Sequence, residues 1–144
     1  MLIKLTLEAI QENWEPMKNV IADSLAPTVF GSEEQIEYTY NALMQDKMQA
    51  WAMVENKEMV AVMITHFTGE MAIEVRNLLI LALVSLKQLP IKDKTWVDTY
   101  TVLRDFAKKH KCHRIVAYTN EGAIIHRVTQ LGGTAEHVLL TLEV

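Results

Sequence analysis

The segment from Ile73 to Val84 changes its hydrophobic pattern halfway along, and this change constrains the fold more than any other feature of the sequence. Apolar and polar residues alternate in its first half, whereas Leu78 to Val84 form an uninterrupted apolar run of seven residues. Such a run is too short to span a bilayer, which needs ~20 residues, but it suits a strand that is covered on both faces. We therefore expect the longest strand of the protein here, at the centre of a sheet.

Length and composition predict one globular domain over residues 1–144. A chain of 16.4 kDa has room for one core, and 50% apolar with 22% charged residues supports a packed interior. The segment Met1 to Thr6 lacks the basic head and long apolar middle of a secretory signal. We expect a cytoplasmic protein or one from a virion interior.

Shorter patterns predict the elements that precede the central strand. Met59, Ala61, Met63 and Thr65 alternate with other residues and should line one face of a strand. The expected elements are a strand at Leu2–Leu5, a helix at Leu7–Leu25 that Pro16 kinks or restarts, a helix from a capping box at Ser32 and Gln35 to about Asp46, and a hairpin of Gln49–Glu55 and Glu58–His66 around Asn56-Lys57.

The elements after the hairpin alternate between strand and helix. The expected features are a turn at Thr68-Gly69-Glu70, the central strand, a loop at Ser85–Asp93, an amphipathic helix around Trp96 that ends at Lys108–Lys111, a strand at His113–Thr119, a helix at Glu121–Leu131 stopped by Gly132-Gly133, and a strand at Ala135–Val144. The order β-α-α-β-β-β-α-β-α-β contains a strand-helix-strand crossover, which requires a parallel pair in a mixed sheet. We predict an α/β or α+β fold with one central sheet between helices.

Charge and cysteine content exclude several kinds of partner and site. The net charge is −4 and the only cysteine is Cys112, so neither a disulfide nor a Cys-x-x-Cys motif can form within the chain. The one basic cluster, Lys108–Lys111 with His113 and Arg114, closes a helix, where cations complement the helix dipole. We expect no nucleic-acid partner, no membrane partner, and no metal site at His110, Cys112 and His113.

The order of elements resembles that of the GNAT superfamily of acyl-CoA-dependent N-acetyltransferases, over nearly the whole chain. Four segments carry the resemblance: Trp51–Val54 before the hairpin, Val60–Met63, Leu103–Ile115, and the Asn120–Gly132 segment with its Leu-Gly ending. More narrowly, the chain resembles small GNAT-like proteins encoded among bacteriophage structural genes, which share the Trp-containing first helix, the Trp-initiated hairpin and a shortened coenzyme loop. The resemblance implies a GNAT-like fold.

The resemblance also implies a place for acetyl-CoA, where the central strand and the next parallel strand separate. The loop there usually reads Gln or Arg, two residues, Gly, one residue, then Gly or Ala, so that backbone amides converge on a diphosphate at a helix N-terminus. Here the pattern starts at Gln88, which places Ile91 and Asp93 at the glycine positions and Pro90 between them. We expect Asp93 to cap the following helix with its own carboxylate, so that the site is filled from within.

If acetyl-CoA binds, this resemblance assigns it a set of contacts. Lys87, Lys92 and Lys94 either contact phosphate or form the solvated rim of the loop, and both interpretations stay open. The implied cofactor-binding residues are Val84, Leu86, Gln88, Lys92, Lys94 and Asn120.

The acid that protonates the departing thiolate in the family is commonly a Tyr four residues before the glycine of Leu-Gly. Counting back from Gly132 reaches Val128, which cannot transfer a proton. Tyr118, at the end of a strand, is the candidate replacement. The candidate bases for an amine are Glu74 on the central strand, His66 and His126.

Two functional hypotheses follow. The first is a GNAT-fold protein with a degenerate coenzyme loop that acts by binding, in a phage particle or its assembly, to a protein partner or to itself. The second is an N-acetyltransferase that uses an atypical loop. Eight methionines and three tryptophans should fill the core first, and the residues to inspect for a partner surface are Trp14, Met17, Tyr38 and Tyr40.

Overall fold

The computed structural model describes residues 1–24, 32–70, 74–87, 90–118, 122–135 and 142. Their helices and strands follow the predicted order. In chain order they are β1 (Leu2–Lys4), α1 (Leu7–Ser24), α2 (Ser32–Met44), β2 (Met48–Glu55), β3 (Glu58–Glu70), β4 (Val75–Ser85), α3 (Asp93–Lys109), β5 (Arg114–Ala117) and α4 (Gly122–Gln130). No helix among these residues is long and apolar enough to cross a membrane.

The described strands form one mixed sheet in the order β1-β2-β3-β4-β5. The neighbouring pairs from β1 to β4 are antiparallel, and β5 runs parallel to β4 after the crossover through α3. The predicted fold class, a mixed central sheet flanked by helices, is confirmed. The predicted last strand, Ala135–Val144, falls almost entirely outside the described residues.

The sheet separates two apolar layers. On one face α1 and α2 pack through Ile10, Ile21 and Leu43 against Val62 and Ile64 of β3. On the other face α3 packs against a second cluster, whose buried members are Leu2, Trp51, Met53, Val60, Ala61, Met63, Leu78, Leu103 and Ala107. Both faces of β4 are therefore covered, as its continuous apolar run predicts.

Two predictions about β3 were wrong. β3 spans 13 residues and β4 only 11, so the central strand is not the longest. The segment Thr68-Gly69-Glu70, predicted as a turn, extends β3 and pairs with the first residues of β4, Gly69 lying opposite Arg76. Its polar composition is typical of turns, but pairing with β4 satisfies its backbone groups equally well.

A bulge explains why the predicted face of β3 is broken. The register of β2 and β3 shifts between Met53 and Val54, so that Val60 is an extra residue. Val60 and Ala61 both join the α3 layer, and Met59 packs instead against the α1 and α2 layer. Only Ala61, Met63 and Thr65 of the predicted set keep the alternation.

Local signals gave the other boundaries to within one or two residues. Asn56 and Lys57 both have positive φ, 48° and 64°, which is the geometry of a two-residue hairpin turn. α1 runs through Pro16 without being divided. α2 begins at Ser32 and ends at Met44, before the predicted Asp46. Gly132, with φ of 89°, stops α4 as predicted.

Candidate functional site

The two parallel strands separate near their carboxyl ends. β5 pairs with β4 only from Asn77 to Ile80, whereas β4 continues to Ser85 beside β3. The amide of Leu86 donates to the carbonyl oxygen of Val60, so alternate residues Leu83 and Ser85 direct their backbone groups to the opposite edge of β4. No described strand pairs with this edge. It is the opening in which the resemblance places acetyl-CoA.

A carboxylate of the protein occupies the N-terminus of α3 beside this opening. Oε1 of Glu55, the last residue of β2, accepts hydrogen bonds from the Lys92 amide at 2.8 Å and the Thr95 hydroxyl at 2.7 Å. These hydrogen bonds, Thr95 foremost, lower the pKa of Glu55 from its ordinary value of 4.5. An anion is therefore already bound where the helix dipole favours one.

The prediction that Asp93 caps α3 was wrong. Lys92 is the N-cap residue, and it has no side-chain cap hydrogen bond. Asp93 points outward and pairs with Arg127 of α4, Nη1 lying 2.5 Å from Oδ1, in an ion pair that links α3 to α4. The carboxylate at this helix end is that of Glu55, whose position at the tip of a hairpin distant in sequence conceals its contact with α3.

The predicted coenzyme contacts are only partly brought together. Val84 lies on β4 opposite Val62, and the Leu86 amide donates its hydrogen bond to Val60 of β3. Lys92 and Lys94 are exposed at the start of α3. Lys87 forms an ion pair with Glu58. Gln88 and Asn120 lie outside the described residues.

The two candidate catalytic residues lie in different regions. Tyr118 follows β5 and is 66% exposed, beside the point where the strands separate. Glu74 was wrongly placed on the central strand: it precedes β4 in a turn with φ of 51°, and its side chain is exposed. Leu83 lies nine positions after Glu74, a span of about 30 Å at ~3.3 Å per residue of strand. That distance removes Glu74 from the chemistry of the opening.

The remaining acid and base candidates do not converge on one another. His66 lies on β3 opposite Leu79, in the part of β4 that pairs on both sides, and its Nδ1 lies 3.2 Å from the Phe67 carbonyl oxygen. His126 is exposed on α4. Val128 contacts the glycine stop of α4 so closely that a Cβ on Gly133 would lie 2.4 Å from it. Val128 therefore packs against the glycines that end α4.

The start of α3 differs in two ways from the coenzyme pattern that the resemblance implies. Pro90 has no amide hydrogen to offer, and the amide of Lys92 is already bonded to a carboxylate. Ile91 packs against the core of the α3 layer. A diphosphate here would have to displace Glu55 or lie beside its charge.

Glu55, Thr95 and Arg127 are the site residues that sequence reasoning missed. In the sequence, Glu55 is predicted to end a strand before a turn, and Thr95 is predicted to lie in an amphipathic helix. Their hydrogen bond joins residues 40 positions apart. Only the packing of the hairpin against the start of α3 reveals it, and the sequence carries no local signal for that contact.

The two histidines of the basic cluster at the end of α3 make structural contacts. The His110 ring lies 4.4 Å from that of Phe106 and 5.1 Å from that of Phe67, and the Arg76 amide donates to Nδ1 of His113. Burial raises the pKa of the Cys112 thiol. Among the described residues, no group of three or more His, Cys, Asp and Glu side chains could hold a metal ion.

The residues inspected for a partner surface differ in exposure. Met17 is buried at 6% exposure, whereas Tyr38 is 65% exposed. Trp14 and Tyr40 pack on each other between α1 and α2, with ring centroids 4.9 Å apart.

A shallow apolar cavity of about 150 Å³ lies beneath α1; it is lined by Asn13, Pro16, Met17, Val20, Ile21, Met59, Val62 and Leu86.

Glu55 should make stability depend on pH. Its pKa is lowered in the folded state, so its contribution is present above 4.5 and lost as the pH falls through the folded-state value. The difference in Tm between the wild type and Glu55→Gln should therefore be largest near pH 7 and shrink on acidification to about pH 3. Glu37→Gln, an exposed glutamate on α2, is the control, and an equal pH dependence in both variants would contradict the assignment.

Comparison with known proteins identifies the fold. No protein-family model and no curated protein matches the sequence. A predicted acetyltransferase of Clostridium acetobutylicum, crystallised with acetyl-CoA, has a TM-score of 0.71 at 16% identity, over 99% of this chain and 95% of that one. A ribosomal-protein-alanine N-acetyltransferase of Brucella melitensis scores 0.69 at 14% identity, over 100% and 98%. A GNAT family acetyltransferase of Staphylococcus aureus scores 0.69 at 11%, also over 100% and 98%. The chain has the fold of the GNAT acetyltransferases.

Proposed function

We propose that this chain is a GNAT-fold protein that acts by binding a protein partner and does not transfer acetyl groups. The observation that carries the proposal is the Glu55 carboxylate, which takes up the Lys92 amide and the Thr95 hydroxyl at the start of α3. A helix N-terminus binds an anionic ligand through unpaired amides and its dipole. Here the Glu55 carboxylate takes up one of these amides, that of Lys92, and a diphosphate would meet its negative charge.

The candidate acid and bases give the same proposal further support. Val128 stands at the position of the expected acid, and Glu74 lies about 30 Å along the sheet from the opening, at ~3.3 Å per residue. Tyr118 is largely in solvent. The resemblance to small phage proteins suggests the setting of the proposed role, a phage particle or its assembly.

One observation favours the alternative, an acetyltransferase with an atypical loop. β4 and β5 separate after Ile80, and the backbone groups of Leu83 and Ser85 face the opening. Such groups could bind an extended ligand as another strand would. This function would require the diphosphate to bind away from the start of α3.

Thermal unfolding with acetyl-CoA separates the two functions. We expect about 1 mM acetyl-CoA to raise the Tm by less than about 1 °C, since Glu55 occupies the helix end. A functional site with Kd of about 10 µM would gain about 2.7 kcal/mol, or about 5–10 °C for a chain of this size.

Glu55→Ala is the matched variant because it removes the internal carboxylate. It should show a larger response to acetyl-CoA than the wild type does. A rise of several degrees in the wild type would overturn the proposal and favour the transferase.

A further inference from the structure

The outer surface of α1 and α2 is strongly acidic. These two helices contain seven acidic residues and a single cation, Lys18, which pairs with Glu15 at 2.7 Å. Successive turns of each helix present carboxylates to solvent. We call the exposed set the acidic face; it consists of Glu8, Glu12, Glu15, Glu33, Glu34 and Glu37.

The other side of the sheet carries a basic counterpart. Residues 104–114, from the last turns of α3 to the start of β5, contain five Lys and Arg residues and one acid, Asp105. All five cations are exposed. We call them the basic face; they are Arg104, Lys108, Lys109, Lys111 and Arg114.

The acidic face also offers aromatic rings. Tyr38 on α2 is 65% exposed, and the Trp14 and Tyr40 rings pack together between the two helices. Lysine and arginine side chains bind the faces of such rings as well as carboxylates. A cationic protein surface is therefore the chemistry that this face recognises.

We propose that the occupant of the acidic face is the basic face of a second copy of this chain. The charges are complementary, −6 on α1 and α2 (seven acids less one lysine) and +4 over residues 104–114 (five cations less one acid). The faces belong to helices that pack on opposite sides of the sheet, so one copy can use both at once. Contact between two different faces gives head-to-tail chains or rings.

This inference deepens the proposed function by naming the partner, and the two can fail separately. The acetyl-CoA measurement reports only on the start of α3, whereas assembly is measured without coenzyme. Light scattering of the wild type at tens of micromolar and about 30 mM salt should give a mean mass above the 16.4 kDa of one chain. At about 500 mM salt, where the Debye length is only ~4 Å, the mass should return to that of the monomer.

Two charge-reversal variants test which faces meet. Glu12→Lys with Glu37→Lys lowers the charge on α1 and α2 from −6 to −2 and places two cations in the acidic face, and Lys108→Glu with Lys111→Glu lowers the charge over residues 104–114 from +4 to zero. Each variant alone should remain monomeric at low salt, because each keeps one functional face and loses the other. Mixed together, they should form a 1:1 complex of twice 16.4 kDa and nothing larger.

Lys57→Glu with Lys94→Glu is the matched control. It makes the same change in net charge as the basic-face variant, outside both faces, and should associate as the wild type does. Tm values verify that each variant is folded. A wild type that is monomeric at low salt, association that salt does not weaken, or a mixture that stays monomeric would each overturn the proposal.

Discussion

Replacing Leu78 with alanine should lower the free energy of unfolding by about 2–5 kcal/mol. Leu78 is fully buried at the centre of β4 and packs in the α3 layer, between β3 and β5. Truncation removes apolar contacts and leaves a cavity between covered strands that cannot move together. Chemical denaturation measures the loss, which corresponds to a fall in Tm of about 5–20 °C.

Two variants make the Leu78 result specific. Leu78→Met conserves volume and should cost less than about 1.5 kcal/mol. Val97→Ala on α3, where the side chain is 51% exposed, should stay within about 0.5 kcal/mol of the wild type. A Leu78→Ala protein as stable as Val97→Ala would mean that β4 is not the core of the fold.

Thr65→Val should be the most damaging change that conserves side-chain shape. The Thr65 hydroxyl is buried and links two elements of the core: it accepts from Nε1 of Trp51 at 2.9 Å and donates to Oε1 of Gln49 at 2.9 Å. Valine would leave both partners buried without a hydrogen bond. The expected loss of unfolding free energy is about 2–4 kcal/mol, to be measured in urea.

Thr65→Ser separates the hydroxyl from the methyl group. Serine keeps both hydrogen bonds and loses one methyl, so it should cost about 1 kcal/mol. If serine proved as destabilising as valine, the methyl packing and not the hydrogen bonds would explain the effect.

Most of the fold could be predicted because its signals are local. The continuous apolar run of β4 indicates burial on both faces, Asn56-Lys57 indicates a hairpin, and Gly132-Gly133 ends a helix. The errors arise where pairing overrides composition. Thr68-Gly69-Glu70 joins β3 because β4 offers partners, and Met59 changes face because Val60 is an extra residue in the ladder.

The departures of Ile91, Pro90 and Asp93 from the coenzyme pattern predict a site filled from within, which stays a prediction. The sequence suggests that Asp93 supplies a carboxylate at the helix start, but the carboxylate there is that of Glu55. The predicted identity was wrong, because Glu55 reaches α3 from a hairpin 37 residues before Lys92. Contacts at that separation depend on how the hairpin packs, which local patterns do not encode.

The link between Asp93 and Arg127 has a mechanical consequence for α4. No residue of α4 is buried, so burial contributes little to holding this helix, and a solvent-exposed ion pair adds little more. The helix therefore has a low free energy of local opening, well below that of the strands in the sheet. An approaching molecule could displace α4 from the start of α3 without unfolding the core.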